Sequence, residues 1–281
     1  MKSRRGPARR GHARKNSWNG YFIGREWSQL DATKLKYVAA LSMAAGSAGL
    51  LLTAGTWPCF FLQTAGLLAY PIFAWLLVEG CRKTGDFRKY LLRLGLFALI
   101  SEVPFFLLAR TLRCSALMTL FLGALSIRAF ERLRDRYPLP SALLPTLAFM
   151  VLALLLRAEY TALGVLLPVV LYLWGEDKKA KLTTVGVWAG VSFFLLPTLS
   201  RILALLPAGV LTPGLWGIVG RVLLSVGMLY LLCAVVSALS IPLLARYNGE
   251  RGKGHKWFFY WLYPAVLTVV YLVSWAVLRW S

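Results

Sequence analysis

Two carboxylates and a guanidinium stand where a chain of this type is otherwise apolar. They are Glu79, Arg93 and Glu102, in the run AYPIFAWLLVEGCRKTGDFRKYLLRLGLFALISEVPF from Ala69 to Phe105. A charge at bilayer depth costs about 2.5–3.5 kcal/mol on insertion scales, so such residues are paired or functional. Glu79 and Arg93 flank a short basic hinge containing Arg82 and Lys83. A hairpin there brings both to similar depth and makes an ion pair geometrically cheap. That pair reads either as a structural clasp or as one wall of a site for a polar or phosphorylated donor. Glu102 lies about 13 Å beyond Arg93 along a helix rising 1.5 Å per residue. Pro104 follows it and bends such a helix. Ser101 and Glu102 then form a site wall, or else Glu102 is a protonated carboxyl bonded to a neighbouring helix.

Other chemistry is sparse. His12 and His255 are the only histidines, and neither falls in an apolar span, so no intramembrane imidazole serves as a general base. P-loop, HExxH and GxSxG patterns are absent. Cys59, Cys81, Cys114 and Cys233 show no zinc-type spacing. They read as small apolar packing residues, and no metal is expected. Glu159 and Tyr160 mark the outer end of the fifth span, with Tyr160 an interfacial anchor. Tyr247-Asn248-Gly249 reads as a turn, because Asn and Gly tolerate positive φ. The aromatic group Trp257 to Trp261 suits a water interface.

The elements that position these residues are membrane helices. Of 281 residues, 58% are hydrophobic, against roughly 45–50% in soluble domains, and the excess must face lipid. The fold class expected is all-α integral membrane, with the bilayer as a partner. The net charge of +21 lies in short loops and in the N-terminal tail, which positive-inside topology explains without nucleic acid. Residues 1–32 read as a basic cytoplasmic tail that is partly disordered. Within it, Trp18, Tyr21, Phe22 and Trp27 approach the interface. Residues 33–281 read as one polytopic domain.

Spans of about 20 apolar residues fall near 37–55, 59–79, 90–109, 115–130, 140–156, 161–175, 182–200, 222–244 and 257–278. The stretch 202–220, broken by Pro207 and Pro213, reads as a re-entrant or interfacial element. Nine spans, with the N-terminus inside and the C-terminus outside, put the clusters Arg82–Lys89, Arg128–Arg136, Lys178–Lys181 and Arg246–Lys256 in the cytoplasm. No internal repeat is visible, which argues against a transporter built from inverted halves.

The sequence also resembles a family. Ala69-Tyr70-Pro71-Ile72-Phe73-Ala74, Glu79-Gly80, Thr84, Lys89-Tyr90, Arg93-Leu94 and Ile100 to Phe105 look like the core of TraX-type membrane proteins. The likeness extends from Leu35-Lys36 through Thr119-Leu120, Gly123 and Gly164-Val165 to Tyr247-Asn248-Gly249 and Trp257 to Pro264, about residues 33–275. It implies a multi-pass protein of the bacterial inner membrane, similar to F-pilin acetylases. Such a protein transfers an acyl group from acetyl-CoA or another acyl-CoA to an amine or hydroxyl of a pilin-like or envelope acceptor, with no metal.

By this resemblance Ser47 and Glu102 are candidate catalytic residues. Lys36, Glu79, Arg93, Ser101, Thr119, Glu159 and Asn248 line the donor or substrate site. The departures are specific. The DH pair of the family's first span falls at Gly46 and Ser47. The G-R pattern becomes Gly66-Leu67, an Asn position is Ser115, an Asp position is Glu159, and Tyr-Pro-x-His becomes Tyr263-Pro264-Ala265-Val266. Two further readings stay open: a catalytically degenerate binding or scaffold protein, and a small-amphiphile transporter with Glu102 as its coupling group.

Overall fold

The computed structural model describes residues 30–205 except 54 and 110, then 217, 220, 223–250, 252 and 256–280. The tail before Leu30, both histidines and most of the stretch 202–220 lie outside the described residues.

The described residues fold into nine helices in chain order. They are α1 (Ala32–Ala48), α2 (Trp57–Lys83) and α3 (Phe87–Ala109), and α4 (Ala116–Leu133). Then come α5 (Leu139–Leu155), α6 (Thr161–Leu173), α7 (Lys178–Ala204) and α8 (Leu223–Ala245), and α9 (Lys256–Trp280). Among the described residues there is no strand beyond one bridge between Leu30 and Tyr247. Helices α2, α3, α7, α8 and the Trp257–Ala276 part of α9 are each long and apolar enough to cross a membrane, and α5 and α6 are shorter apolar helices.

Local chemistry sets the helix limits. Asp31 caps α1 by accepting from the Lys34 amide at 2.8 Å, so α1 starts earlier than the apolar pattern suggests. A tight turn at Gly49–Leu51 ends it early. Asp177 caps α7 through the Ala180 amide, and Ser115 caps α4. Such caps satisfy amides that the helix leaves unpaired.

Helix α2 is the core element. Tyr70, Ile72, Ala74 and Val78 are fully buried against α1, α4 and α6. The outer helices instead turn apolar side chains outward: Leu41 and Leu92 are each 72% exposed, and Leu224 is 86% exposed. Contiguous apolar outer faces on helices of this length characterise a membrane protein.

Contacts between helix ends place the basic clusters together. Lys83 donates to the Gly249 carbonyl, and Lys178 donates to the carbonyls of Ala245 and Tyr247. Arg82 donates to the Tyr172 carbonyl and to Glu176. The start of α1 joins the same end through Ala32 and the Glu250 carbonyl. At the opposite end the α3–α4 and α5–α6 connections meet, where Glu159 donates its amide to the Cys114 carbonyl at 2.9 Å. Cys59, Cys81, Cys114 and Cys233 are free thiols.

Candidate functional site: an internal charged cavity

A cavity of about 850 Å³ runs between α1, α2, α3, α4 and α9. At the basic end its wall carries Lys36, Glu79, Lys83 and Arg93; at the other it carries Arg113 and Glu159. With four cations against two carboxylates on the wall, an anionic occupant is favoured.

The hairpin pair differs from the ion pair that the sequence suggests. Glu79 accepts from Lys83 at 2.7 Å, one turn along the same helix, the spacing at which helical charges meet. Arg93 forms no ion pair with Glu79 within 4.0 Å. Tyr90 packs between the hairpin arms so closely that a Cβ on Gly80 would lie 2.8 Å from its hydroxyl. Arg93 keeps a buried Nε with no hydrogen-bond partner. Lys36 lies over the Phe259 ring at 5.2 Å. Tyr247 completes this end of the wall, and burial pushes its phenol up to about 12, so it stays a neutral donor.

At the far end Ser47 reaches the wall, 8% exposed. Its neighbour Gly46 marks the closest crossing of α1 and α2. A Cβ on Gly46 would lie 2.9 Å from the Gly66 Cα, and a Cβ on Gly66 would lie 2.8 Å from the Gly46 Cα. The Ser42 hydroxyl donates to the Ala65 carbonyl at 2.7 Å across the same contact. The position where the family resemblance places an acid therefore holds no side chain, and none fits without moving a helix.

Glu159 is held by the Ala116 amide at 3.0 Å. The backbone that presents it is strained: Arg157 has φ 50 and Thr161 has φ 52. A β-branched residue in the left-handed region is an outlier that its surroundings must impose. Within this turn Tyr160 stacks on Tyr70 at 3.8 Å between ring centroids and also approaches Trp188. Tyr160 is thus a wall residue inside the bundle rather than an anchor at the interface. Tyr70 donates to the Gly164 carbonyl at 2.8 Å.

Of the nine candidate positions from the sequence, five lie on this wall: Lys36, Ser47, Glu79, Arg93 and Glu159. The other four have roles elsewhere. Glu102 accepts from the Ser115 hydroxyl at 2.7 Å and from the Ser115 amide at 3.0 Å, so it clamps the start of α4. A carboxylate suits that place because a helix N-terminus carries partial positive charge. Cys114 beside it has its thiol pushed up, first by burial and then by the Glu102 charge. Ser101 returns its hydroxyl to the Phe97 carbonyl. Thr119 is buried and its methyl packs where Gly164 leaves room. Asn248 holds the turn by accepting from the Glu250 amide and donating to its carboxylate. Sequence reasoning missed Tyr70, Tyr247 and Tyr263 as wall residues. All three fall inside the quoted motifs, but nothing in their spacing says which way they point.

An all-helical bundle with apolar outer faces and an internal charged cavity defines the class: a multi-pass membrane protein with a ligand-sized chamber. Residues 31–274 match the TraX protein family, and the chain belongs to it. No curated protein and no solved structure gives a match.

Proposed function

We propose that this TraX-family protein is an acyltransferase of the bacterial inner membrane. In this reading it crosses the membrane nine times with its basic end in the cytoplasm, and it takes its acyl group from a coenzyme A thioester. The supporting observation is the buried, unpartnered Arg93 Nε on a cavity wall with excess positive charge. Arginine is suited to phosphate recognition because its planar fork donates to two oxygens at once.

The roles follow from position. Lys36 and Arg93 hold the phosphates of the donor, and its pantetheine arm bends back within the cavity so that the thioester stands beside Glu79. An amine or hydroxyl of a pilin-like or envelope acceptor attacks the thioester carbonyl and gives its proton to Glu79. The C–S bond breaks, and the leaving thiolate takes that proton. Ser47 lies about 16 Å from Lys36 along α1, at 1.5 Å per residue. It therefore lines the distant part of the cavity and is not the nucleophile. Glu102 acts as a positioning residue through Ser115.

The tight Gly46–Gly66 crossing favours one alternative, a thioester-binding protein without turnover, because no acid fits at Gly46 without moving a helix. Purified protein with labelled acetyl-CoA and an amine or hydroxyl acceptor separates the readings. Transfer that falls at least tenfold in Glu79→Gln supports catalysis. Saturable binding without transfer supports the alternative. Absence of both contradicts any thioester role.

A further inference from the structure

Attack on a thioester puts negative charge on its carbonyl oxygen, and that oxygen needs a hydrogen-bond donor. Lys36 and Arg93 are engaged by phosphates and Glu79 by a proton, so the donor must stand elsewhere on the wall. Tyr247 is a wall residue of the basic end and is 7% exposed. Lys83 binds the Glu79 carboxylate and the Gly249 carbonyl with the same ammonium, each at 2.7 Å. The turn 247–249 is thereby drawn against Glu79, and the Glu79 charge acts on the Tyr247 phenol. A thioester beside Glu79 is beside this turn as well.

The main chain of Tyr247 is pinned. Its carbonyl accepts from Lys178 at 2.9 Å, and its amide donates to the Leu244 carbonyl at 3.2 Å. The following amide, that of Asn248, donates to the Leu30 carbonyl at 3.0 Å. The hydroxyl, by contrast, makes no hydrogen bond among the described residues. Tyr70 on the same wall differs, because its hydroxyl is spent on the Gly164 carbonyl. A polar group held so deep without a partner is costly unless a ligand supplies one.

We infer that Tyr247 is the hydrogen-bond donor to the thioester carbonyl oxygen and holds that oxygen as its charge develops. The inference rests on the proposed thioester site and adds a catalytic residue to it. As the acceptor attacks the carbonyl carbon, the π pair of the C=O bond moves onto oxygen. Tyr247 donates to this oxygen and keeps its proton. The pair then re-forms the C=O bond while the C–S bond breaks, and Glu79 passes the acceptor's proton to the thiolate. Burial, and then the Glu79 charge, push the Tyr247 phenol up to about 12, which suits a donor that must not ionise. A donor already fixed in place needs no rearrangement at the moment of reaction.

Isotope-edited infrared spectroscopy tests this without turnover. Acetyl-CoA with carbon-13 at its carbonyl is bound to the full protein in phosphatidylcholine nanodiscs, with no acceptor present. Its carbonyl stretch is expected at lower frequency than in free acetyl-CoA, and in Tyr247→Phe it should return to the free position. Affinity for acetyl-CoA should fall no more than about tenfold in that variant, the worth of one neutral hydrogen bond. With an acceptor added, transfer should fall about a hundredfold or more, the usual loss for one oxyanion donor. Difluorotyrosine at position 247 keeps the ring's shape and donates more strongly, so it should lower the stretch further. It also serves as the test if Tyr247→Phe fails to fold.

A lowered stretch that survives in Tyr247→Phe, or that is lost instead in Tyr90→Phe, would overturn the assignment and leave the thioester site standing. A bound thioester with an unshifted stretch would do the same. If acetyl-CoA does not bind at all, the thioester site itself fails, and the role of Tyr247 with it.

Discussion

The two ends of the cavity treat their carboxylates differently. At the basic end Glu79 is held by one flexible lysine, with the Arg93 Nε buried and without a hydrogen-bond partner nearby. At the far end Glu159 on the wall, and Glu102 outside it, are each held by one of the first amides of α4. Both kinds of site place an acid near apolar helices, and their sequence signatures are alike. The difference lies in who satisfies the charge. Backbone amides fix a carboxylate and make it structural, whereas a mobile side chain leaves it available to a ligand. Polar groups that carry binding are therefore concentrated at the basic end, and those that carry stability at the far end.

That contrast can be broken from either side. The largest effect is expected for Gly46→Asp, which forces an acid into the α1–α2 crossing. Overpacking together with a buried unpaired charge should cost about 3 kcal/mol or more, read as loss of folded protein in detergent-based thermal unfolding. The result also bears on the family's DH position, because restoring its acid here should destabilise rather than activate. Next is Glu102→Ala, which leaves the Ser115 amide and hydroxyl without their acceptor. A loss of about 1–3 kcal/mol is expected, with ligand binding retained in the protein that stays folded. An unchanged unfolding midpoint would remove the structural role assigned to Glu102.

Arg157→Gly tests the strained turn. Relief of a left-handed conformation should raise stability by about 1 kcal/mol, measurable as a higher unfolding midpoint. A lower midpoint would mean that the turn is not under the strain its φ implies. The smallest stability effect belongs to Glu79→Ala. An i,i+4 pair whose lysine is exposed contributes about 0.3–0.5 kcal/mol, so its midpoint should barely move. A loss comparable to that of Glu102→Ala would erase the distinction between the two ends.

Much of this was legible in the residues. Apolar runs and basic loops gave the helices, because hydrophobic length and charge placement are one-dimensional signals. Glu79 and Arg93 were legible as wall residues, since a charge in an apolar helix needs a polar surrounding, and Lys36 was legible through the family resemblance. Their partners were not. The Glu79–Lys83 contact follows from helical spacing, but that Arg93 stands apart from it depends on how the two arms of the hairpin pack. For Glu102 the sequence left open a site wall or a bond to a neighbouring helix, and its partner Ser115 was not legible because it lies across a loop, although Ser115 ahead of an apolar run is itself a helix-start signal. Gly46 was read as a lost acid. With Ser42 four residues before it, the pattern also describes small residues at a helix crossing, and only the approach of Gly66 decides between them.

The central claim is that the basic end of the cavity recognises the phosphates of an acyl thioester. Equilibrium binding of labelled acetyl-CoA to the nanodisc-embedded protein, compared with Arg93→Ala, tests it most directly. Saturable binding that weakens about tenfold to a hundredfold in the variant is expected, the equivalent of about 1.5–3 kcal/mol for a bond to a charged group. Equal binding by both proteins, or none by either, would contradict the account.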